Sequence, residues 1–136
     1  MANGSKIPPL KRKDLVYPDL CYQIMGVLFD IWLKMGFGHK ENFYQKAVAH
    51  GLETAKLKFG EQFPAKIYYQ NKLIGMYYFD FLVENKIVLE IKVRNYFSTK
   101  DIDQLFSYLK AKRLKLGIIA HFTRDGVKFK RIVNLK

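Results

Sequence analysis

Residues 77–93, which read YYFDFLVENKIVLEIKV, decide the fold of this chain. Two runs rich in aromatic and β-branched residues flank a tight turn at residues 84–86. This pattern predicts two antiparallel strands, over residues 73–83 and 87–93. Because side chains alternate across a strand, the apolar positions fix which residues of the two strands face each other.

Pairing about this turn sets Asp80 opposite Glu90 and brings Lys92 to the same side of the two strands. The other side is predicted to be apolar and to hold Phe79, Phe81, Val83, Leu89, Ile91 and Val93. Like charges directly opposite each other destabilise a sheet, so two facing carboxylates need an explanation. A divalent cation provides one, because Mg²⁺ and Mn²⁺ prefer oxygen ligands and are often held by one or two carboxylates plus water.

Lys92 completes a group of residues that suits hydrolysis of a phosphodiester. Its amine could position or deprotonate a water, or stabilise charge on a phosphate, beside a metal held by Asp80 and Glu90. A solvated strand face that alternates its charges has the same pattern, so this second interpretation stays open.

Hydrophobic periodicity outside this stretch predicts the rest of the fold. In chain order the predicted elements are helices at 18–36 and 41–57, a strand at 65–69, a helix at 100–112, and strands at 116–122 and 127–133. Gly60 is expected to close the second helix. The order ααβββαββ predicts a single α/β domain over residues 18–136, behind a flexible basic arm at residues 1–17.

The charge of the chain favours a polyanionic partner. Lys and Arg number 24 against 12 for Asp and Glu, which gives 136 residues a net charge of +12. Nucleic acid is the first expectation and an acidic membrane surface the second. A basic surface that serves only solubility is the remaining alternative.

Cysteine and histidine restrict the kinds of site. Cys21 is the only cysteine, which excludes an intramolecular disulfide and favours a reducing compartment. The three histidines lack zinc-ligand spacing, so a metal site would use oxygen ligands, and His121 is expected to be a satisfied core or boundary residue. No apolar run is long enough to span a bilayer, so we expect a soluble, cytoplasmic protein without membrane contact.

Three motifs in order resemble a known group of proteins. Residues 38–44, GHKENFY, fit the signature G-x-x-E-x-x-Y, which names a family within the PD-(D/E)XK nuclease superfamily. Asp80 and the run Glu90-Ile91-Lys92 resemble the D…E-x-K core of that superfamily, although Phe79 stands where its name has proline. Residues 104–108, QLFSY, resemble the Q-x-x-x-Y motif of its RecB-like branch.

This resemblance implies a restriction-endonuclease-like fold, with a central mixed sheet flanked by helices, and a metal-dependent nuclease. It implies that Asp80, Glu90 and the Ile91 carbonyl bind Mg²⁺ or Mn²⁺, with Glu41 assisting from its helix. Lys92 would help to activate the attacking water, while Gln104 and Tyr108 would orient these groups. The substrate is expected to be nucleic acid, with DNA favoured over RNA.

Affinity for nucleic acid is expected to come from spread basic charge. The candidates are Lys11, Arg12 and Lys13 in the arm, and Arg94, Lys100, Lys112 and Arg113 in the domain. Tyr68, Tyr69, Tyr77 and Tyr78 could stack on unpaired bases, although packing is the favoured role for aromatics on strands. A nuclease-like module that binds without cleaving, and a structural homodimer, are the alternatives that the sequence leaves open.

Overall fold

The computed structural model describes residues 16–135, which form three helices and five strands. In chain order the elements are α1 (Pro18–Met35), α2 (Glu41–Thr54), β1 (Phe59–Tyr69), β2 (Lys72–Val83), β3 (Ile87–Lys92), α3 (Thr99–Lys112), β4 (Leu116–Thr123) and β5 (Gly126–Val133). The predicted order ααβββαββ is confirmed. The helix α3 starts as expected, since Ser98 Oγ accepts a hydrogen bond from the Asp101 amide.

The five strands form one mixed sheet in the order β1-β2-β3-β4-β5. All neighbours are antiparallel except β3 and β4, which run parallel and are connected through α3. A parallel pair needs a crossover, and the helix provides it. The predicted α/β class, a central mixed sheet flanked by helices, is confirmed.

The helices α1 and α2 cover one side of the sheet. Their buried residues recur at helical spacing, as in Ile24, Leu28 and Ile31 of α1, and they join the first hydrophobic cluster. In α2 the fully buried Tyr44 stacks on Phe122 of β4 with ring centroids 4.3 Å apart. This stacking contact holds α2 against the sheet.

The helix α3 packs against the second hydrophobic cluster. Leu105, Tyr108 and Leu109 of α3 meet Val88 and Ile119 of the sheet there. The contact is close, because a Cβ atom added at Gly117 would lie 2.7 Å from a methyl carbon of Leu105. Glycine at this point therefore lets α3 lie directly on β4.

Two predicted boundaries are wrong in the segment after α2. The helix ends at Thr54, and Gly60 lies inside β1, where it pairs with Leu82. The strand β1 therefore begins at Phe59, well before the predicted residue 65. Pro64 and Gly60 suggest a break in the sequence, but β1 is an edge strand, and an edge tolerates a residue without an outward N–H donor.

Phe79 lies on the other side from the one that strict alternation predicts. It packs in the second cluster with Phe63 and Tyr108, whereas Phe81, Val83, Leu89 and Ile91 pack in the first as expected. The pairing of β2 with β3 ends at Phe81 opposite Leu89, and beyond it β1 and β2 continue as a ribbon of two strands. Such ribbons twist strongly, which moves Phe79 to the α3 side.

The N-terminal end of the described chain packs against the domain. Val16 and Tyr17 contact the first cluster, and the Val16 carbonyl accepts a hydrogen bond of 2.7 Å from Arg131. The rest of the predicted basic arm, with Lys11, Arg12 and Lys13, lies outside the described residues. Within residues 16–135, no helix has the length and apolar character needed to cross a bilayer.

Candidate active site

Asp80 and Glu90 face each other where β2 and β3 separate. Regular pairing runs from Val83–Ile87 to Phe81–Leu89, and then the two carboxylates replace the backbone ladder. The Asp80 amide donates to Glu90 Oε1 at 2.9 Å, and the Ile91 amide donates to Asp80 Oδ2 at 2.8 Å. The predicted juxtaposition is present, and this reciprocal pair of hydrogen bonds fixes both carboxylates between the strands.

The second carboxylate oxygen of Asp80 is held by two glutamine side chains. Gln45 Nε2 of α2 donates to Asp80 Oδ1 at 2.8 Å, and Gln62 Nε2 of β1 donates to the same atom at 3.2 Å. Asp80 is buried and accepts hydrogen bonds from three elements of the fold. These donors fix both oxygens of the Asp80 carboxylate in position.

Glu90 has a perturbed protonation equilibrium. Burial is the largest cause, followed by the negative charge of Asp80, and together they raise the pKa of Glu90 from 4.5 to about 8. The Asp80 amide and Lys92, whose Nζ lies 3.7 Å from Glu90 Oε2, act in the opposite direction without cancelling the rise. At neutral pH the site therefore favours one net carboxylate charge unless a cation joins it.

Lys92 lies on the same side of β3 as Glu90 and is largely shielded from solvent. In the parallel pairing of β3 with β4, it is adjacent to His121. His121 is buried and stacks on Phe97 at 4.0 Å, and neither of its ring nitrogens has a hydrogen-bond partner among residues 16–135. The expectation of a satisfied histidine is wrong for this residue.

Glu41 is the first residue of α2, as predicted, and it lies one helical turn before Gln45. The hydrogen bond from Gln45 to Asp80 brings this end of α2 to the carboxylate pair. Within residues 16–135, however, no three His, Cys, Asp or Glu side chains form a cluster for a metal. The assistance of Glu41 in metal binding stays a prediction, as does that of the Ile91 carbonyl.

Gln104 and Tyr108 reach the neighbourhood of the site through Tyr77. The Tyr77 hydroxyl donates to the backbone carbonyl of Gln104 at 3.0 Å, and the Tyr108 ring packs on Phe79. Burial is the largest of the causes that raise the pKa of Tyr77, and the charge of Glu90 adds to it. In the described chain, no hydrogen bond joins the side chain of Gln104 or Tyr108 to the carboxylates or to Lys92.

The basic candidates fall into two groups. Arg94 is engaged with its own neighbours, since it forms an ion pair with Asp101 at 3.2 Å and lies over the Tyr96 ring. Lys100, Lys112 and Arg113 are exposed, at opposite ends of α3. Only the second group is free to meet a polyanion without breaking an ion pair, and its role in binding stays a prediction.

The roles of three residues near the carboxylates were not predicted from the sequence: Gln45, Gln62 and Tyr77. Helical spacing from Glu41 was a signal for Gln45. No local signal marked Gln62, which has a left-handed backbone with φ 48° in the part of β1 that was predicted as loop. Tyr77 was considered only as a packing or stacking aromatic.

The carboxylate pair fits the metal that the resemblance implies. Both side chains offer oxygen atoms, which are the ligands that Mg²⁺ and Mn²⁺ prefer. The raised pKa of Glu90 indicates that a second negative charge is unfavourable beside Asp80 without a compensating cation. A divalent ion would supply that compensation and hold both groups ionised.

Comparisons with known proteins agree with this geometry. A sequence model described as the PD-(D/E)XK nuclease superfamily matches residues 18–132. The chain also superposes on the crystal structure of SSO0001 with a TM-score of 0.54 and 18% identity, over 68% of this chain and 49% of that one. This chain thus spans about half the length of that protein, and the likeness concerns the fold alone. No curated protein matches the sequence.

Proposed function

Because the chain belongs to the PD-(D/E)XK nuclease superfamily, we propose that it is a metal-dependent nuclease whose reaction takes place at Asp80 and Glu90. The observation that carries the proposal is the pairing of the buried Asp80 with the half-buried Glu90, fixed by reciprocal hydrogen bonds where β2 and β3 separate. A merely solvated strand face would not shield two carboxylates from solvent beside each other, since desolvation of like charges is costly.

Each residue of the proposed site has its own role in the reaction. Asp80 and Glu90 would hold Mg²⁺ or Mn²⁺, which supplies Lewis-acid stabilisation of charge on the phosphate. Gln45 and Gln62 keep Asp80 in place through Oδ1, because both amides donate to that atom. Lys92, within 3.7 Å of Glu90, is placed to position the attacking water or to take up its proton.

The motif at residues 38–44 supports a finer assignment to the G-x-x-E-x-x-Y family. Glu41 of that motif begins α2, and Tyr44 packs beneath it on Phe122, so the motif anchors the helix that brings Gln45 to Asp80. The net charge of +12 supports nucleic acid as the polyanionic substrate, with DNA favoured.

The test is a cleavage assay on linear, circular, single-stranded and branched DNA and on RNA, with Mg²⁺, Mn²⁺ or EDTA. Wild type is compared with Glu90→Gln, which keeps the acceptor oxygen for the Asp80 amide and removes the ionisable group. We expect metal-dependent cleavage by the wild type and loss of at least roughly a hundredfold in the variant.

Two results would contradict the proposal. Cleavage that Glu90→Gln retains would place the chemistry elsewhere or in a contaminant. Absence of cleavage by the wild type on every substrate, together with salt-dependent binding that EDTA does not affect, would favour a module that binds nucleic acid without cutting it.

A further inference from the structure

The hairpin of β1 and β2 extends beyond the rest of the sheet. Pairing of β2 with β3 stops at Phe81, whereas pairing of β1 with β2 continues to Tyr69 opposite Lys72. Every residue from 66 to 76 is exposed, and so is Tyr78. We call residues 64–78 the β1–β2 arm. Apart from Ala65, which is buried, and Tyr77, which bonds to α3, the arm offers its side chains to solvent on both faces.

The exposed side chains of the arm are aromatic, cationic and apolar, the apolar ones being Ile67, Leu73, Ile74 and Met76. Tyr68, Tyr69 and Tyr78 are 58%, 66% and 57% exposed. The arm carries Lys66 and Lys72, and no acidic residue occurs between Glu61 and Asp80. Exposed apolar patches of this kind mark interaction sites. The expectation that strand aromatics serve packing is therefore wrong for these three tyrosines, although it holds for Tyr77, which contacts Phe79.

One side of the arm leads to the carboxylate pair. The register pairs Pro64 with Tyr78, then Lys66 with Met76, then Tyr68 with Leu73, and paired residues project to the same side. The next position toward the sheet is Gln62, which donates to Asp80. Neighbouring pairs on one side lie about 6.6 Å apart, so Tyr68 is about 20 Å along the strand from Gln62.

We propose that the β1–β2 arm binds an unpaired stretch of nucleic acid and leads it to Asp80 and Glu90, so that the substrate contains a single-stranded segment. Bases would stack on Tyr78 and Tyr68, and phosphates would meet Lys66. An aromatic ring can stack only on a base whose face is free, whereas base pairs in a duplex cover each other's faces. The inference rests on the proposed function, because it assigns the substrate class of the same site.

Charge argues against a second copy of the chain as the occupant of the arm. Two arms brought together would set four lysines side by side with no acidic partner from the arm itself. Like charges at such distances repel, whereas the phosphates of a nucleic acid compensate them. The same lysines and tyrosines therefore select a polyanion that also presents flat aromatic faces.

The test separates binding from cleavage by measuring affinity in the Glu90→Gln background, with EDTA, by fluorescence anisotropy. The probes are an oligothymidine of about 20 nucleotides and a duplex of the same length, at one salt concentration. The double change Tyr68→Ala and Tyr78→Ala is compared with the double change of both residues to Phe. Tyr22→Ala is the matched control, since Tyr22 is 74% exposed on α1.

We expect the alanine pair to weaken single-strand affinity roughly tenfold per tyrosine and to leave duplex affinity almost unchanged. The phenylalanine pair should retain affinity, because it keeps the rings, and Tyr22→Ala should have no effect. An unfolding temperature equal to that of the wild type would show that these substitutions at exposed positions leave the fold intact.

Three outcomes would overturn the inference. If the alanine pair and its parent bind the single strand with equal affinity, the arm does not take part in binding. Cleavage by the same variants in the wild-type background would in that case still support the proposed function. Equal loss for single strand and duplex would indicate that the tyrosines contact the backbone common to both and do not stack on free bases. A dimer that the alanine pair dissociates, with nucleic-acid affinity unchanged, would assign the arm to self-association.

Discussion

The carboxylate pair and the imidazole of His121 are two polar groups of the sheet that are shielded from solvent, and they differ in their hydrogen bonding. Asp80 accepts hydrogen bonds from Gln45, Gln62 and the Ile91 amide, and Glu90 accepts one from the Asp80 amide. His121 is 1% exposed, and neither ring nitrogen has a hydrogen-bond partner in the described part of the chain. Burial alone therefore does not mark a site. Hydrogen-bond partners distinguish a polar group that is fixed in place from one that is only buried.

The pKa values of Glu90 and His121 also shift in opposite directions. Burial raises the pKa of Glu90 to about 8, with Asp80 as the second cause, so the buried glutamic acid retains its proton. Burial lowers the pKa of His121 to about 4, so the buried imidazole loses its proton. The backbone of Arg94 lies close enough to oppose this fall, but not in the geometry of a hydrogen bond. Both groups become neutral because the interior disfavours charge.

Replacing Lys92 should produce the largest effect. Lys92→Met removes the one ammonium that pairs with Glu90 within residues 16–135, while keeping an unbranched side chain of similar length. We expect cleavage to fall roughly a hundredfold to ten-thousandfold, because a positioned proton acceptor or donor is lost. Initial rates on the preferred substrate measure this. Lys46→Met, at an exposed position of α2, is the matched control and should keep wild-type rates. Equal rates for the two variants would remove Lys92 from the reaction.

The stability of the metal-free protein should depend on pH through Glu90. Between 4.5 and about 8 the folded protein retains a proton on Glu90 that the unfolded chain releases. The free energy of unfolding therefore falls as pH rises through this window, by up to a few kcal/mol. Urea unfolding in EDTA, at several pH values above about 7.5, isolates this slope, because His121 is then almost entirely neutral in both the folded and the unfolded chain.

Glu90→Gln and divalent metal provide the controls for this slope. The glutamine variant cannot titrate and should show a flatter profile over the same range. Mg²⁺ at millimolar concentration should raise wild-type stability most at alkaline pH, where the carboxylate is ionised. A slope shared by wild type and variant would assign the titration to another group.

Replacing His121 should stabilise the domain. His121→Phe removes two buried unpartnered nitrogens and keeps an aromatic ring that can stack on Phe97. We expect a gain of about 1–3 kcal/mol in the free energy of unfolding at neutral pH. The gain should grow as pH falls from 6.5 toward about 4, because the unfolded histidine binds a proton that the folded one excludes.

The comparison of urea unfolding at about pH 7 and about pH 5 checks this effect. The solvent-exposed His50 of α2 gives the control, and His50→Phe should show no pH-dependent gain. Loss of stability in His121→Phe would indicate that the imidazole makes hydrogen bonds that stabilise the folded protein.

The smallest effect is expected at Gln62. Gln62→Ala removes one of three donors to Asp80, at 3.2 Å and from an exposed residue. Since Gln45 and the Ile91 amide still hold the carboxylate, stability should change by less than about 1 kcal/mol. The cleavage rate is the sharper measurement, and Gln45→Ala, which removes the 2.8 Å contact, should lower it more. The reverse order would make Gln62 the principal support.

The register of β2 and β3 could be predicted from the sequence because the information is local. Apolar residues alternate on both sides of a short turn, and only one pairing buries them, which sets Asp80 opposite Glu90. The helices α1 and α3 were predicted for a similar reason, since their apolar residues recur at helical spacing.

The parts that were missed depend on contacts distant in sequence or on twist. The first residues of β1 contain Gly60, and the strand exists because they pair with β2. Phe79 changes sides because the ribbon twists where β3 no longer pairs with it. The exposure of Tyr68 and the isolation of His121 depend on which elements cover them, and neither residue carries a local signal of this.

The sequential order of the strands has a consequence for the kinetics of folding. Three of the four pairings join consecutive strands through turns, and only the pairing of β3 with β4 must close the longer loop that contains α3. Short loops lose little entropy on closure and form early. We therefore expect Asp80 and Glu90 to meet early in folding, when the hairpin of β2 and β3 closes. Their chemical environment is then completed when α2 and β4 dock, so the ionisation of Glu90 reports the last steps of folding rather than the first.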